Sequence, residues 1–144
     1  MDHDPTDPDS YDHWVDERVR FCDTDALGHV NNVAVAALVE SGRVAYTLEL
    51  LERAGARAAD DAVSGLVLAR LEIDMRAEAH YPAAIRVGSR LVAIGRTSLT
   101  VGTGVFAGQR CIATARGVMV TVGADGPTPI PPPVRDSLEA ELAS

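Results

Sequence analysis

Asp25 stands in the run Asp23-Thr24-Asp25-Ala26-Leu27-Gly28-His29-Val30-Asn31-Asn32, directly ahead of a long Pro-free segment rich in Ala, Leu and Glu. A helix beginning there presents backbone N–H groups without intrahelical partners, together with the positive end of its dipole. Those groups suit a carbonyl oxygen that becomes an oxyanion. A carboxylate a few residues upstream would attack the same carbonyl or activate a water beside it. Hydrolysis of an activated ester or thioester needs these two parts and no metal. The same residue types before a helix are also common caps and Asx-turn formers, and spacing alone favours that structural role.

Other chemistries find less support. Asp23 and Asp25 form only a weak carboxylate pair, and His29 reads as a hydrogen-bonded loop residue more readily than as a general base. Cys22 and Cys111 lie in apolar runs and are expected to behave as small buried hydrophobes, not as nucleophiles or a disulfide framework. The chain contains no lysine, which excludes a lysine Schiff base. No His, Cys and carboxylate set has metal-ligand spacing, so no metal is expected. No GxSxG elbow anchors a serine triad. The glycines of 102–108 do not fit GxGxxG and lie in strand-like sequence, as sheet glycines would.

The elements that must position Asp25 follow from periodicity. Residues 14–22 alternate imperfectly, as a strand. Residues 33–54 read as one helix about 30 Å long, capped by Asn31 or Asn32 and stopped by Gly55. Val35, Leu38, Val39, Gly42 and Tyr46 share its apolar stripe. Gly42 implies close approach of another backbone. After a mobile-looking stretch at 56–64, strands are expected over 66–76, 85–95, 98–106 and 110–122. Turns at Gly95, Gly108 and Gly123 make neighbours antiparallel. The Pro-rich 127–133 must run along the surface. One long helix against an antiparallel sheet of about five strands is an α+β plan.

The net charge of −8 is concentrated at the start, where residues 1–17 hold seven of the 21 acidic residues and no arginine. Residues 1–13 are expected to be a disordered acidic tail. Residues 14–133 form the domain, and 134–144 a short C-terminal helix or tail. No basic block suggests nucleic acid. No apolar run reaches the roughly 18 residues of a membrane span, so a cytoplasmic protein without membrane association is expected.

The run from Val19 to Asn32 resembles the signature of the 4-hydroxybenzoyl-CoA thioesterase-like family of hotdog proteins. Glu40 and Arg43 match its later helix positions, Ser98-Leu99-Thr100-Val101 its Ser-Leu-Thr strand, and Ile130-Pro131 its closing segment. The resemblance covers about residues 15–133. It implies the hotdog fold, in which the sheet wraps the long helix, and an acyl-CoA thioesterase releasing a carboxylic acid and CoA. Asp25 would be its catalytic carboxylate, and the backbone N–H of Asn32, with that of Val33, its oxyanion donor. Gly28, His29, Val30, Asn31 and Ser98 would join Val33 in binding substrate. CoA would enter as part of the substrate, with no separate cofactor. A homodimer or homotetramer is implied.

Two positions depart from the family pattern. Val35 and Met75 stand where it often has an aromatic, and both are expected to border the acyl or dimer region. Arg76, Arg86, Arg90 and Arg96 are candidates for CoA phosphates. The alternative is a non-catalytic acyl-CoA or acyl-carrier-protein binding module on the same fold. Retention of Asp25, Gly28 and the Asn pair argues against it. A hotdog hydratase or dehydratase would need a hydration motif that the sequence lacks.

Overall fold

The apolar stripe of the central helix is the surface on which the sheet assembles. The computed structural model describes residues 3–56 and 65–144. Most of the stretch read as mobile-looking, 57–64, lies outside them. Helix α1 spans Asn32–Arg53. Val35, Leu38, Val39, Gly42 and Tyr46 are all buried on it. The strands are β1 (His13–Arg18), β2 (Leu66–Met75), β3 (Ala84–Ile94), β4 (Ser98–Ala107), β5 (Arg110–Gly123) and the two-residue β6 (Gly126–Pro127). A second helix, α2, spans Pro132–Ala143. The sheet order is β1-β3-β4-β5-β2, with β6 beside β5 and every pairing antiparallel. Helix α1 packs on β1, β3, β4 and β5. This α+β arrangement is the hotdog fold.

Gly42 shows why the helix sits so close. A Cβ built there would lie 2.3 Å from Val87 Cγ1, and Val87 on β3 is fully buried. Packing divides into two clusters along α1. One gathers Val30, Val35, Val39, Ala79, Ile85 and Ile112 at the N-terminal end. The other gathers Tyr46, Leu50, Leu91, Leu99, Ile130 and Leu138 at the C-terminal end. Each fully buried aliphatic side chain in them contributes about 1.5–3 kcal/mol. Ile130 thus anchors the Pro-rich segment, and α2 closes the second cluster.

Two expectations are corrected. Residues 3–12 have a defined structure in place of a disordered tail. Asp7 caps a 3-10 turn at Pro8–Ser10, and Asp4 accepts from the N–H and hydroxyl of Thr6. Tyr11 supplies the anchor that the tail's composition conceals. It is 6% exposed, meets Trp14 and Phe106 edge-on, and donates its hydroxyl to the Pro5 carbonyl. Gly88 and Gly104 make room for its ring, since a Cβ at either would lie within 3 Å of it. The second correction concerns Cys22. Strand β1 ends at Arg18 and the chain turns through a 3-10 helix at Phe21–Asp23, which leaves Cys22 exposed. Cys111 is half-buried, and burial pushes its thiol pKa up.

Candidate active site

The loop from Thr24 to Asn31 is a tight structure closed on Asp25. The Asp25 N–H donates to the His29 carbonyl, and the Gly28 N–H donates to the Asp25 carbonyl. Gly28 has φ +81°, a left-handed conformation that favours glycine. Asp25 Oδ1 accepts from the N–H groups of Leu27 at 2.9 Å and His29 at 3.2 Å. The carboxylate is therefore oriented by the backbone it precedes, while Oδ2 takes no hydrogen bond among the described residues. Asp25 remains exposed.

Asp23 has a different task. It is buried, accepts from the Arg20 N–H and pairs with the Arg20 guanidinium at 2.9 Å. Those hydrogen bonds hold its carboxyl below the usual carboxylate range. Its carbonyl takes the Asn31 N–H at 2.8 Å, which ties the 3-10 turn to the start of α1. Asp23 and Asp25 thus do not act as a pair.

Of the two candidate caps, Asn31 is the one used. Its side chain accepts from the Ala34 N–H at 2.8 Å. The N–H groups of Asn32 and Val33 have no acceptor among the described residues, and both residues are exposed. Asp25, His29, Val30 and Asn32 share a cleft of about 320 Å³. Val35, Met75, Arg76, Ala79 and Ile112 complete most of its wall. Val30 contributes from the core, with its N–H on the Ala79 carbonyl. Val35 and Met75 both border this cleft, where the sequence departs from the aromatic pattern. A larger hollow of about 650 Å³ beside Arg18–Phe21 and Tyr81–Ala84 is lined by no carboxylate or imidazole.

Not every expected residue arrives. Ser98 opens β4 beside Leu99 of the second cluster, and its carbonyl takes the Gly95 N–H in the β3–β4 turn. It serves that hairpin and does not line the cleft of its own chain. Among the four candidate arginines, Arg76 lines the cleft and donates to the Thr114 hydroxyl at 2.8 Å. Arg86 instead lies 4.1 Å from the Trp14 ring centroid.

Glu78 and His80 were missed. They follow β2 and meet the Asp25 loop at an isolated backbone pair between His29 and His80. His29 Nε2 lies 3.3 Å from Glu78 Oε2, and His80 Nδ1 lies 3.2 Å from the Gly28 carbonyl oxygen. Among the described residues, His29, Glu78 and His80 are the group whose donor atoms could hold a metal ion. Gly28 and His80 are 52 positions apart, so local spacing carries no sign of this contact.

The model of the thioesterase-like superfamily matches residues 19–138, which includes the whole cleft. The chain belongs to that superfamily. Its hotdog sheet and helix superpose on a thioesterase from Thermus thermophilus complexed with coenzyme A and zinc. The identity is 30%, with 91% of this chain and 95% of that one covered and a TM-score of 0.77. A predicted thioesterase from Bacillus stearothermophilus is 27% identical over 90% of this chain and 95% of its own, with a TM-score of 0.78. A thioesterase superfamily member from Jannaschia sp. CCS1 is 26% identical over 94% and 86%, with a TM-score of 0.77. No curated protein matches the chain. No helix among the described residues of this superfamily member is long and apolar enough to cross a membrane.

Proposed function

We propose that this chain hydrolyses an acyl-CoA thioester to a free carboxylic acid and CoA, with Asp25 as the catalytic carboxylate. One observation carries the reading. Asp25, a carboxylate with one oxygen free, shares a cleft with Asn32, which opens the helix with its N–H free, and the free N–H of Val33 follows in the chain. The thioester carbonyl oxygen would accept from the N–H groups of Asn32 and Val33, which stabilise it as negative charge develops. Asp25 would either attack the carbonyl carbon, giving a mixed anhydride that water then opens, or remove a proton from the attacking water. In both routes the C–S bond breaks, thiolate leaves and one water is consumed. The two hydrogen bonds on Oδ1 set the carboxylate's direction before substrate arrives.

Coenzyme A in the Thermus relative supports a CoA thioester as the substrate class. Val35, Met75 and Ile112 would face the acyl group, with Arg76 at hand for an anionic part of the substrate. A second copy of the chain would complete the assembly. Strand β2 is a sheet edge that leaves Val67, Leu68, Leu71 and Met75 exposed, the surface a homodimer would cover.

Thiol release from a panel of acetyl-, straight-chain, branched and aromatic acyl-CoAs tests this reading. Turnover of at least one member well above the uncatalysed rate is expected. Tight binding of the panel without release of thiol would contradict it and favour an acyl-CoA binding module.

A further inference from the structure

The Asp25 loop and the segment after β2 are held together firmly. The Val30 N–H donates to the Ala79 carbonyl at 2.8 Å, and the N–H groups of Arg76 and Ala77 both reach the Ile112 carbonyl. The Arg110 guanidinium donates to the Glu78 carbonyl. On this support the His29 and His80 rings meet edge to face with centroids 5.1 Å apart. Glu78 Oε2 lies 3.3 Å from His29 Nε2 and 3.8 Å from His80 Nε2. One donor atom from each of the three residues falls within a 4.8 Å set.

The 3.3 Å between His29 Nε2 and Glu78 Oε2 is that of two atoms sharing one small cation. Donors at 2.0–2.1 Å from a tetrahedral zinc stand about 3.3–3.4 Å apart. His80 also has the supporting hydrogen bond that metal-bound imidazoles use. With its Nδ1–H donated to the Gly28 carbonyl, its Nε2 keeps a lone pair for a cation, 3.8 Å from Glu78 Oε2. A simple ion pair explains one imidazole beside a carboxylate. It does not call for a second imidazole nitrogen at the same oxygen.

We propose that His29, Glu78 and His80 bind one divalent transition cation of the zinc class at the rim of the Asp25 cleft. Two imidazoles and one carboxylate suit zinc and its neighbours and discriminate against magnesium and calcium, which prefer oxygen donors. Three protein ligands leave a fourth position open to water. His29 and Glu78 also line the cleft, so the cation would fasten the Asp25 loop to the segment after β2. The site stands apart from the hydrolase reading, because its ligands do not include Asp25.

The test is zinc titration of the full-length, chelator-stripped protein by calorimetry, with metal counted after gel filtration and Tm measured with and without zinc. One zinc per chain, a raised Tm and no comparable response to magnesium are expected. His80→Ala and the exposed Glu78→Gln should each weaken zinc binding by about 10-fold or more, while Asp25→Asn retains it. Absence of stoichiometric binding would overturn the proposal. So would undiminished binding by a folded Glu78→Gln protein, because the histidine–glutamate group would then be an ion-pair cluster only. Binding by Asp25→Asn protein that no longer hydrolyses thioester would separate the two readings.

Discussion

Asp23 turns its carboxylate to Arg20, while Asp25 commits one oxygen to its own turn and leaves the other without a partner. The Arg20 contacts give Asp23 a predictable effect of pH on stability. Its folded pKa is depressed by the Arg20 hydrogen bonds. Its contribution to stability is therefore present above the unfolded carboxylate value, about 3.9, and is lost as pH falls through the folded value. Asp23→Asn should lower Tm at pH 6–7, with the deficit shrinking below about pH 4. Thermal melts of both proteins from pH 7 to pH 3 check this. A deficit that stays constant across the range would contradict it. The Asp25 turn and the Asn31 cap were legible in sequence because their contacts span only a few residues. The Asp23–Arg20 pair is equally local, but an aspartate two residues from another looked like a possible partner. Only the placement of Arg20 shows where it points.

At the scale of elements, Gly42 lets α1 approach Val87 of β3 more closely than any side chain there would allow. Ala would gain about 1 kcal/mol in helix propensity. The added methyl would meet Val87 Cγ1, and overpacking of a buried site costs about 1–3 kcal/mol. Gly42→Ala is expected to be net destabilising in denaturant titrations, and Val87→Ala added to it to cost less than Val87→Ala alone. Additive effects would show that the contact is slack. The elements themselves were readable because the helical stripe and the strand turns repeat over many residues. The ordered N-terminal segment was not, since one tyrosine in a slot between two distant glycines holds it. Ser98 lies away from the cleft of its own chain, because a strand's sequence does not say which end of the helix it will lie beside.

At the scale of the molecule, an edge of the sheet among the described residues presents exposed apolar side chains. Strand β2 carries apolar side chains that the described residues leave exposed, including Leu71 at 37% and Met75 at 49%. Of its residues, Leu66 and Ile73 pack against the two core clusters. Pairing with a second copy would explain the excess. Sedimentation analysis should find a dimer or tetramer for the wild type, and Leu71→Arg should shift it towards monomer. A wild-type monomer at micromolar concentration would refute the assembly. The meeting of the Asp25 loop with Glu78 and His80 also belongs to this scale. Tertiary folding creates it, and no local pattern announces it.

The role of Asp25 is decided by the steady-state rate of Asp25→Asn against wild type, on the acyl-CoA that wild type turns over fastest. The substitution keeps an oxygen for the Leu27 and His29 N–H groups but removes the charge. The predicted result is a fall in kcat of about 100-fold or more, the scale of a lost acid–base or nucleophilic group, with the protein still folded. A variant as active as wild type would contradict the assignment of Asp25.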